Sequence, residues 1–184
     1  ARVAQGTAEW LLKTNPSPTV VLGSDCRFGG RMFAETVALV MAQNGVKVLW
    51  DRNDFVSTPM VSLGTVQHGA QAGVILTASH NPPSYNGFKI KASYGGPAAP
   101  SMISEVEALI PDKAPVLQNS VAYWKEWGRI VDVDLYSAYL DEIRKNFDLE
   151  AIQPLSERLA FDAMYGAGQR VIPDLFPHAR LLHC

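Results

Sequence analysis

The sequence predicts an α/β protein with three layers, helices on both faces of a mixed, mainly parallel sheet. Short, uninterrupted apolar strands alternate with amphipathic helices, and each of the first three strands runs into a polar loop. Apolar strands in strict alternation with helices are the pattern of a sheet covered on both sides, and ligands gather where such strands end.

Taken in order, Val3, Thr7, Trp10 and Leu11 recur at the spacing of one helical face, in a helix that ends before Pro16 and Pro18. Thr19-Val20-Val21-Leu22 reads as a buried strand, followed by the loop Gly23–Gly30 and a second helix with Phe33, Val37, Val40 and Met41 on one face. Asn44-Gly45 stops that helix. Val46–Trp50 is the next strand and Asp51–Ser57 its loop, after which Thr58 caps a helix with Pro59 in its first turn. Gly73–Leu76 is the third strand. Its loop is Thr77–Pro83, then a tight turn at Tyr85-Asn86-Gly87 and a period-two strand, Phe88-Lys89-Ile90-Lys91, with both lysines on one face.

Ser101–Ile110 reads as the last helix of a first unit over residues 1–110, closed by the Pro111–Pro115 break. Residues 111–133 read as a connector, irregular from 116 on. A second unit, 134–184, begins with a helix through Leu135, Tyr139 and Ile143. A strand near Leu159–Ala163, a Tyr165–Gly168 turn, a helix into Leu175 and a strand start at Arg180–His183 complete it.

Composition narrows function. Of 184 residues 47% are hydrophobic and 18% charged, and no apolar run approaches the roughly 20 residues of a membrane span. Lys+Arg 16 against Asp+Glu 18 leaves a net charge of −2 without a basic block, so neither a membrane nor a nucleic acid is an expected partner. Cys26 and Cys184 lie far apart, which suggests a reducing, cytoplasmic setting. The four histidines lack zinc-site spacing. The chain opens inside a helical pattern, so the expectation is a fragment of a longer protein.

The densest polar loop is Thr77-Ala78-Ser79-His80-Asn81-Pro82, set directly after a buried strand. Ser79 is its candidate nucleophile. A serine hydrolase would flank that serine with glycines, and Ala78 and His80 are not glycines. A histidine neighbour and two lysines on the following strand suit phosphate better than an acyl group. Composition and spacing leave phosphoryl chemistry and a plain serine-rich turn both open.

The stretch Gly73-Val74-Ile75-Leu76-Thr77-Ala78-Ser79-His80-Asn81-Pro82-Pro83-Ser84-Tyr85-Asn86-Gly87-Phe88-Lys89 closely resembles the active-serine segment of the α-D-phosphohexomutases, the family of phosphoglucomutase and phosphomannomutase. Gly23-Ser24-Asp25-Cys26-Arg27-Phe28 is similar to its strand-end Asp-x-Arg segment, Val56–Pro59 to its Thr-Pro helix start, and Phe161–Gly168 to the opening of its second domain. The resemblance implies an intramolecular phosphotransferase that interconverts hexose 6-phosphate and hexose 1-phosphate through a phosphoserine and a hexose 1,6-bisphosphate. It makes Ser79 the phosphorylated residue, His80 its active-site neighbour and Lys89 the proton-transfer lysine; Lys91, two residues along the same strand face, reads as a solvated charge. Arg27 and Asn81 are the expected phosphate-binding residues, with pairing to Asp25 the alternative for Arg27. Mg²⁺ is the implied metal, touching Ser79 through its phosphate, and the remaining domains of the same polypeptide are implied partners.

The family's N-terminal arginine loop, acidic metal loop, sugar-reading loop and distal phosphate loop have no counterpart in this sequence. The expectation is therefore a truncated first domain and the beginning of a second, inactive alone. A stand-alone sugar-phosphate-binding module is the alternative.

Overall fold

The computed structural model describes all residues, 1–184. Helix α1 (Arg2–Thr14) leads into β1 (Thr19–Ser24), α2 (Gly30–Gln43), β2 (Lys47–Asp51), α3 (Thr58–Gln67), β3 (Ala72–Leu76), β4 (Phe88–Ala92) and α4 (Pro100–Glu107). The order then continues through α5 (Val121–Glu126), β5 (Ile130–Val133), α6 (Leu135–Asn146), α7 (Leu149–Ile152), a 3-10 turn at Gln153–Arg158, β6 (Ala160–Asp162), α8 (Val171–Leu175) and β7 (Arg180–Leu182). No helix is long and apolar enough to cross a membrane.

Five strands form one sheet in the order β4-β3-β1-β2-β5, parallel throughout except for the antiparallel edge β4. The period-two alternation of the strands divides their side chains between two cores. Val20, Leu22, Val48, Trp50, Val74, Leu76 and Ile130 join a cluster of 21 buried residues with α1 and α2. Val21, Leu49 and Ile75 face the other way, into a cluster of 10 with α3 and α6. Helices α3 and α6 meet closely at Gly64, where a Cβ would lie 2.5 Å from Leu135 Cδ2.

Three sequence expectations change. The connector is irregular only as far as residue 120, not through 116–133: α5 packs Val121 and Trp124 against the larger core, and β5 pairs in parallel with β2 from Val48↔Ile130 to Asp51↔Val133. The main sheet and its covering helices thus run through α6 rather than ending at residue 110. The α3 cap is Ser57, extended at φ −84° and ψ 160°, with Thr58 already helical. Phe33 is 41% exposed and leaves the apolar face of α2 to Val37, Val40 and Met41.

The remaining strands, β6 and β7, form a separate parallel pair with no fully buried residue in either. This pair joins the main body through α8 and the loop before it. Tyr136 Oη lies 2.5 Å from Asp174 Oδ2 and 2.8 Å from the Arg170 carbonyl, while the Arg170 guanidinium stacks on the Tyr136 ring and donates to Asn53 Oδ1.

Candidate active site

Strand order creates the site. From β1 the chain moves to β2 on one side and then crosses to β3 on the other, so the loops leaving β1 and β3 diverge around a crevice at the strands' carboxyl ends. A cavity of about 540 Å³ opens there. It is lined by Asp25–Phe28 after β1, Ser57–Pro59 at the start of α3, Thr77, Ser79, Asn81 and Pro83 after β3, and Met164–Ala167 after β6.

Ser79 is exposed at the mouth of this cavity and has φ 55°, the left-handed region that a non-glycine residue rarely adopts. Such a conformation persists only where the surroundings fix it. The Ser79 N–H donates to Thr77 Oγ1 at 3.0 Å, and the Thr77 hydroxyl donates to Asp25 Oδ2 at 2.5 Å. Asp25 Oδ1 accepts the Arg27 N–H at 3.0 Å, an Asx turn of the kind that ends strands. The loop's exit is closed by the Thr77 N–H to the Gly87 carbonyl at 3.0 Å, and a Cβ on Gly87 would stand 2.7 Å from the Thr77 oxygen. Glycine is required there by that approach.

The expected site residues separate. Ser79, Asn81 and Arg27 line the cavity. His80 is outside its lining, exposed, with Nδ1 3.3 Å from Ser79 Oγ. Lys89 is exposed on β4, opposite Ile75, one residue in from the end of β3. Lys91 is not a freely solvated charge: it is partly buried, and burial followed by the Lys89 ammonium pushes its pKa down. Arg27 departs most from expectation. Its two Nη nitrogens donate to four backbone carbonyls of the serine loop and Nε lies 3.6 Å from the Asp25 carboxylate, the pairing given as its alternative, so its terminal donors are engaged within the protein. Asn81 contributes its carbonyl to that arrangement and is part of the cavity lining. Cys26 is exposed at the cavity wall with Gln169 Nε2 3.6 Å from Sγ.

Two participants escaped the sequence reading. Met164 and Tyr165 form the facing wall with φ 47° and 56°, held by the Asp162 Oδ1 bond to the Met164 N–H. The signal was an aspartate two residues before the turn, the same spacing as Asp25 and Arg27.

A divalent metal does not fit these residues alone. No group of three or more His, Cys, Asp or Glu side chains stands close enough to hold one. The sole carboxylate lining the cavity, Asp25, is engaged by Thr77 and the Arg27 backbone.

An exposed serine at a topological switch point, on a loop fixed from two strands, defines an α/β domain that presents this serine to a ligand-sized crevice. The match to known proteins makes that class specific. Residues 1–116 match the family model "Phosphoglucomutase/phosphomannomutase, alpha/beta/alpha domain I", more than half of the chain. The chain belongs to the phosphoglucomutase/phosphomannomutase family. It is 34% identical over 177 residues to the phosphoglucosamine mutase of Deinococcus radiodurans, covering 93% of this chain and 37% of that protein. It is 30% identical over 158 residues to the phosphoglucomutase/phosphomannomutase of Thermococcus kodakarensis, covering 86% and 33%. A solved structure from Thermus thermophilus, described as a phosphomannomutase, superposes with a TM-score of 0.86 at 32% identity, covering 98% of this chain and 40% of that one. The chain thus spans two-fifths or less of each of these relatives.

Proposed function

We propose that this chain supplies the phosphoserine half of a phosphohexomutase active site, with Ser79 as the residue that gives and takes the phosphoryl group. The observation that carries the reading is Ser79 itself, strained to a positive φ and held at the mouth of a switch-point cavity. Its relatives' names, mutases of phosphorylated glucose, mannose and glucosamine, support the reaction class.

In the first half-reaction a hexose monophosphate hydroxyl attacks phosphorus in line with the Ser79 oxygen. The bond from phosphorus to the sugar oxygen forms and the bond to Ser79 breaks. Lys89 is the residue that takes up the hydroxyl proton, and His80, with Nδ1 3.3 Å from Ser79 Oγ, the one that returns a proton to the departing serine oxygen. Once the hexose 1,6-bisphosphate has turned, the reverse transfer restores the phosphoserine and leaves the isomeric monophosphate. Magnesium and its carboxylates, the sugar-reading loop and the distal phosphate grip belong in this reading to other domains of the same polypeptide, so the 184 residues alone have no turnover. The two free, exposed cysteines suit a cytoplasmic setting.

Intact-mass measurement of the whole enzyme after incubation with a hexose 1,6-bisphosphate should show one added phosphate. Ser79→Ala should abolish both that mass and mutase turnover. Hexose phosphate binding without any phosphorylation of Ser79 would instead identify a sugar-phosphate-binding module.

A further inference from the structure

The four carbonyl oxygens that converge on Arg27 come from one short stretch of chain. Nη1 donates to Pro82 O at 2.8 Å and Tyr85 O at 3.0 Å. Nη2 donates to Ser79 O at 2.9 Å and Asn81 O at 2.5 Å. The remaining donor, Nε, lies 3.6 Å from Asp25 Oδ2. A guanidinium has five N–H groups; the four on the Nη nitrogens are all hydrogen-bonded here, and the fifth faces a carboxylate at ion-pair distance. The side chain is 13% exposed although it arises from a loop at the cavity edge.

The loop needs this cation. Pro82 and Pro83 have no N–H to donate, which limits the loop's means of closing on itself through its own backbone. Carbonyls pointed at a common centre repel one another unless a positive group occupies that centre. The rigid fork of arginine can meet four of them in fixed directions, whereas a lysine ammonium is a compact point charge with three donors. The Asp25 contacts to Thr77 and Arg27 then join the β1 loop and the β3 loop into one circuit through Ser79.

We infer that Arg27 is the positioning residue of the nucleophile: its guanidinium clasps the serine loop through backbone carbonyls and thereby sets the direction of Ser79 Oγ, rather than gripping substrate phosphate. The inference rests on Ser79 being the phosphoryl carrier, and the test separates the two ideas. A displacement of about 1 Å at a reacting group can cost roughly a hundredfold in rate. Arg27→Lys and Arg27→Met in the whole enzyme should therefore lower kcat by about a hundredfold each, with KM for the hexose phosphate within about twofold of wild type. Amide exchange over residues 77–87 should rise by about tenfold or more in both variants, while exchange in β1 and α2 and the Tm stay close to wild type.

An Arg27→Lys enzyme that retains wild-type kcat would overturn the clasp, as would a raised KM at unchanged kcat, the signature of a lost phosphate ligand. Unchanged exchange over 77–87 would overturn it as well. Because that exchange requires no catalysis, it decides the clasp even if wild-type Ser79 never takes up phosphate, a result that would defeat the functional reading alone.

Discussion

Asp25 and Asp162 make the same local bond at the ends of two strands, and the loops that follow face each other across the cavity. Each accepts the N–H two residues on, Arg27 in one case and Met164 in the other. Beyond that bond they diverge. Asp25 is backed by the five-stranded sheet and shares its second oxygen with Thr77, which fixes Ser79. Asp162 ends a strand of the isolated β6–β7 pair, and its carboxylate meets only the exposed His183 ring besides the Met164 amide. The same turn chemistry therefore yields a braced wall where a core lies behind it and a locally held wall where none does. One wall carries Ser79; the other has no core behind it.

The largest expected effect tests whether the difference lies in the cores. Leu22 is fully buried within the 21-residue cluster, whereas Leu181 in β7 is 39% exposed. Leu22→Ala should lose about 2–5 kcal/mol of unfolding free energy in chemical denaturation, and Leu181→Ala less than about 1 kcal/mol. Equal losses would show that the β6–β7 pair has a core as tight as the main sheet and would break the comparison.

Next comes the link between the regions. The Tyr136 hydroxyl is held up in pKa by burial and by Asp174, and it joins α6 to α8. Tyr136→Phe should cost about 1.5–3 kcal/mol, the range for a hydrogen bond to a charged group. Amide exchange should rise over 160–182 and stay unchanged over β1 to β3. A uniform rise across the chain would mean that Tyr136 supports the main core rather than the junction.

What the sequence disclosed follows the same division between local and distant causes. Alternating strands and helices through β3 were legible because each apolar face recurs within a few residues. The serine loop was legible because its residues are contiguous. Strand β5 was not: Ile130-Val131-Asp132-Val133 is four residues long with a charge inside it, and only pairing with β2, about eighty residues earlier, makes it a strand. Arg27 shows the same limit. Its proximity to Asp25 was readable, but its partners are carbonyls 52 to 58 residues away, and carbonyls carry no side-chain signature. Sequence pattern thus reported which loop brings Ser79 to the cavity and left unreported what holds the loop.

A smaller effect concerns the helix that presents Tyr136. Asp134 caps α6; burial alone would raise its pKa, but hydrogen bonds from the Ser137 N–H and hydroxyl, Arg52 and Asn53 prevail and hold it at about 2. A carboxylate depressed in the folded state adds stability that is complete above the ordinary value near ~3.9 and is lost as pH falls through the folded value. Asp134→Ala should therefore destabilise by about 1 kcal/mol at neutral pH, a typical cap loss. Its deficit relative to wild type should shrink as pH approaches 2, and a deficit independent of pH would assign the effect to packing.

The smallest effect falls on the Asp162 turn. The Met164 N–H and then the His183 ring lower the Asp162 pKa, although the carboxylate lies at the surface. The sign is again that of a depressed acid: the turn is most secure above the ordinary carboxylate range and loosens as pH falls through the lowered value. Asp162→Asn at neutral pH should speed amide exchange at Met164 and Tyr165, leave the exchange of residues 77–87 unchanged, and leave the Tm nearly unmoved. Asp25→Asn, by contrast, should disturb 77–87, because there the carboxylate reaches Ser79 through Thr77. If Asp162→Asn also loosened the serine loop, the two walls would be one mechanical unit. Independence is expected because the only direct polar contact between the β1 loop and the Met164 side of the cavity is Gln169 Nε2 to Cys26 Sγ at 3.6 Å, a single bond to a weak sulfur acceptor.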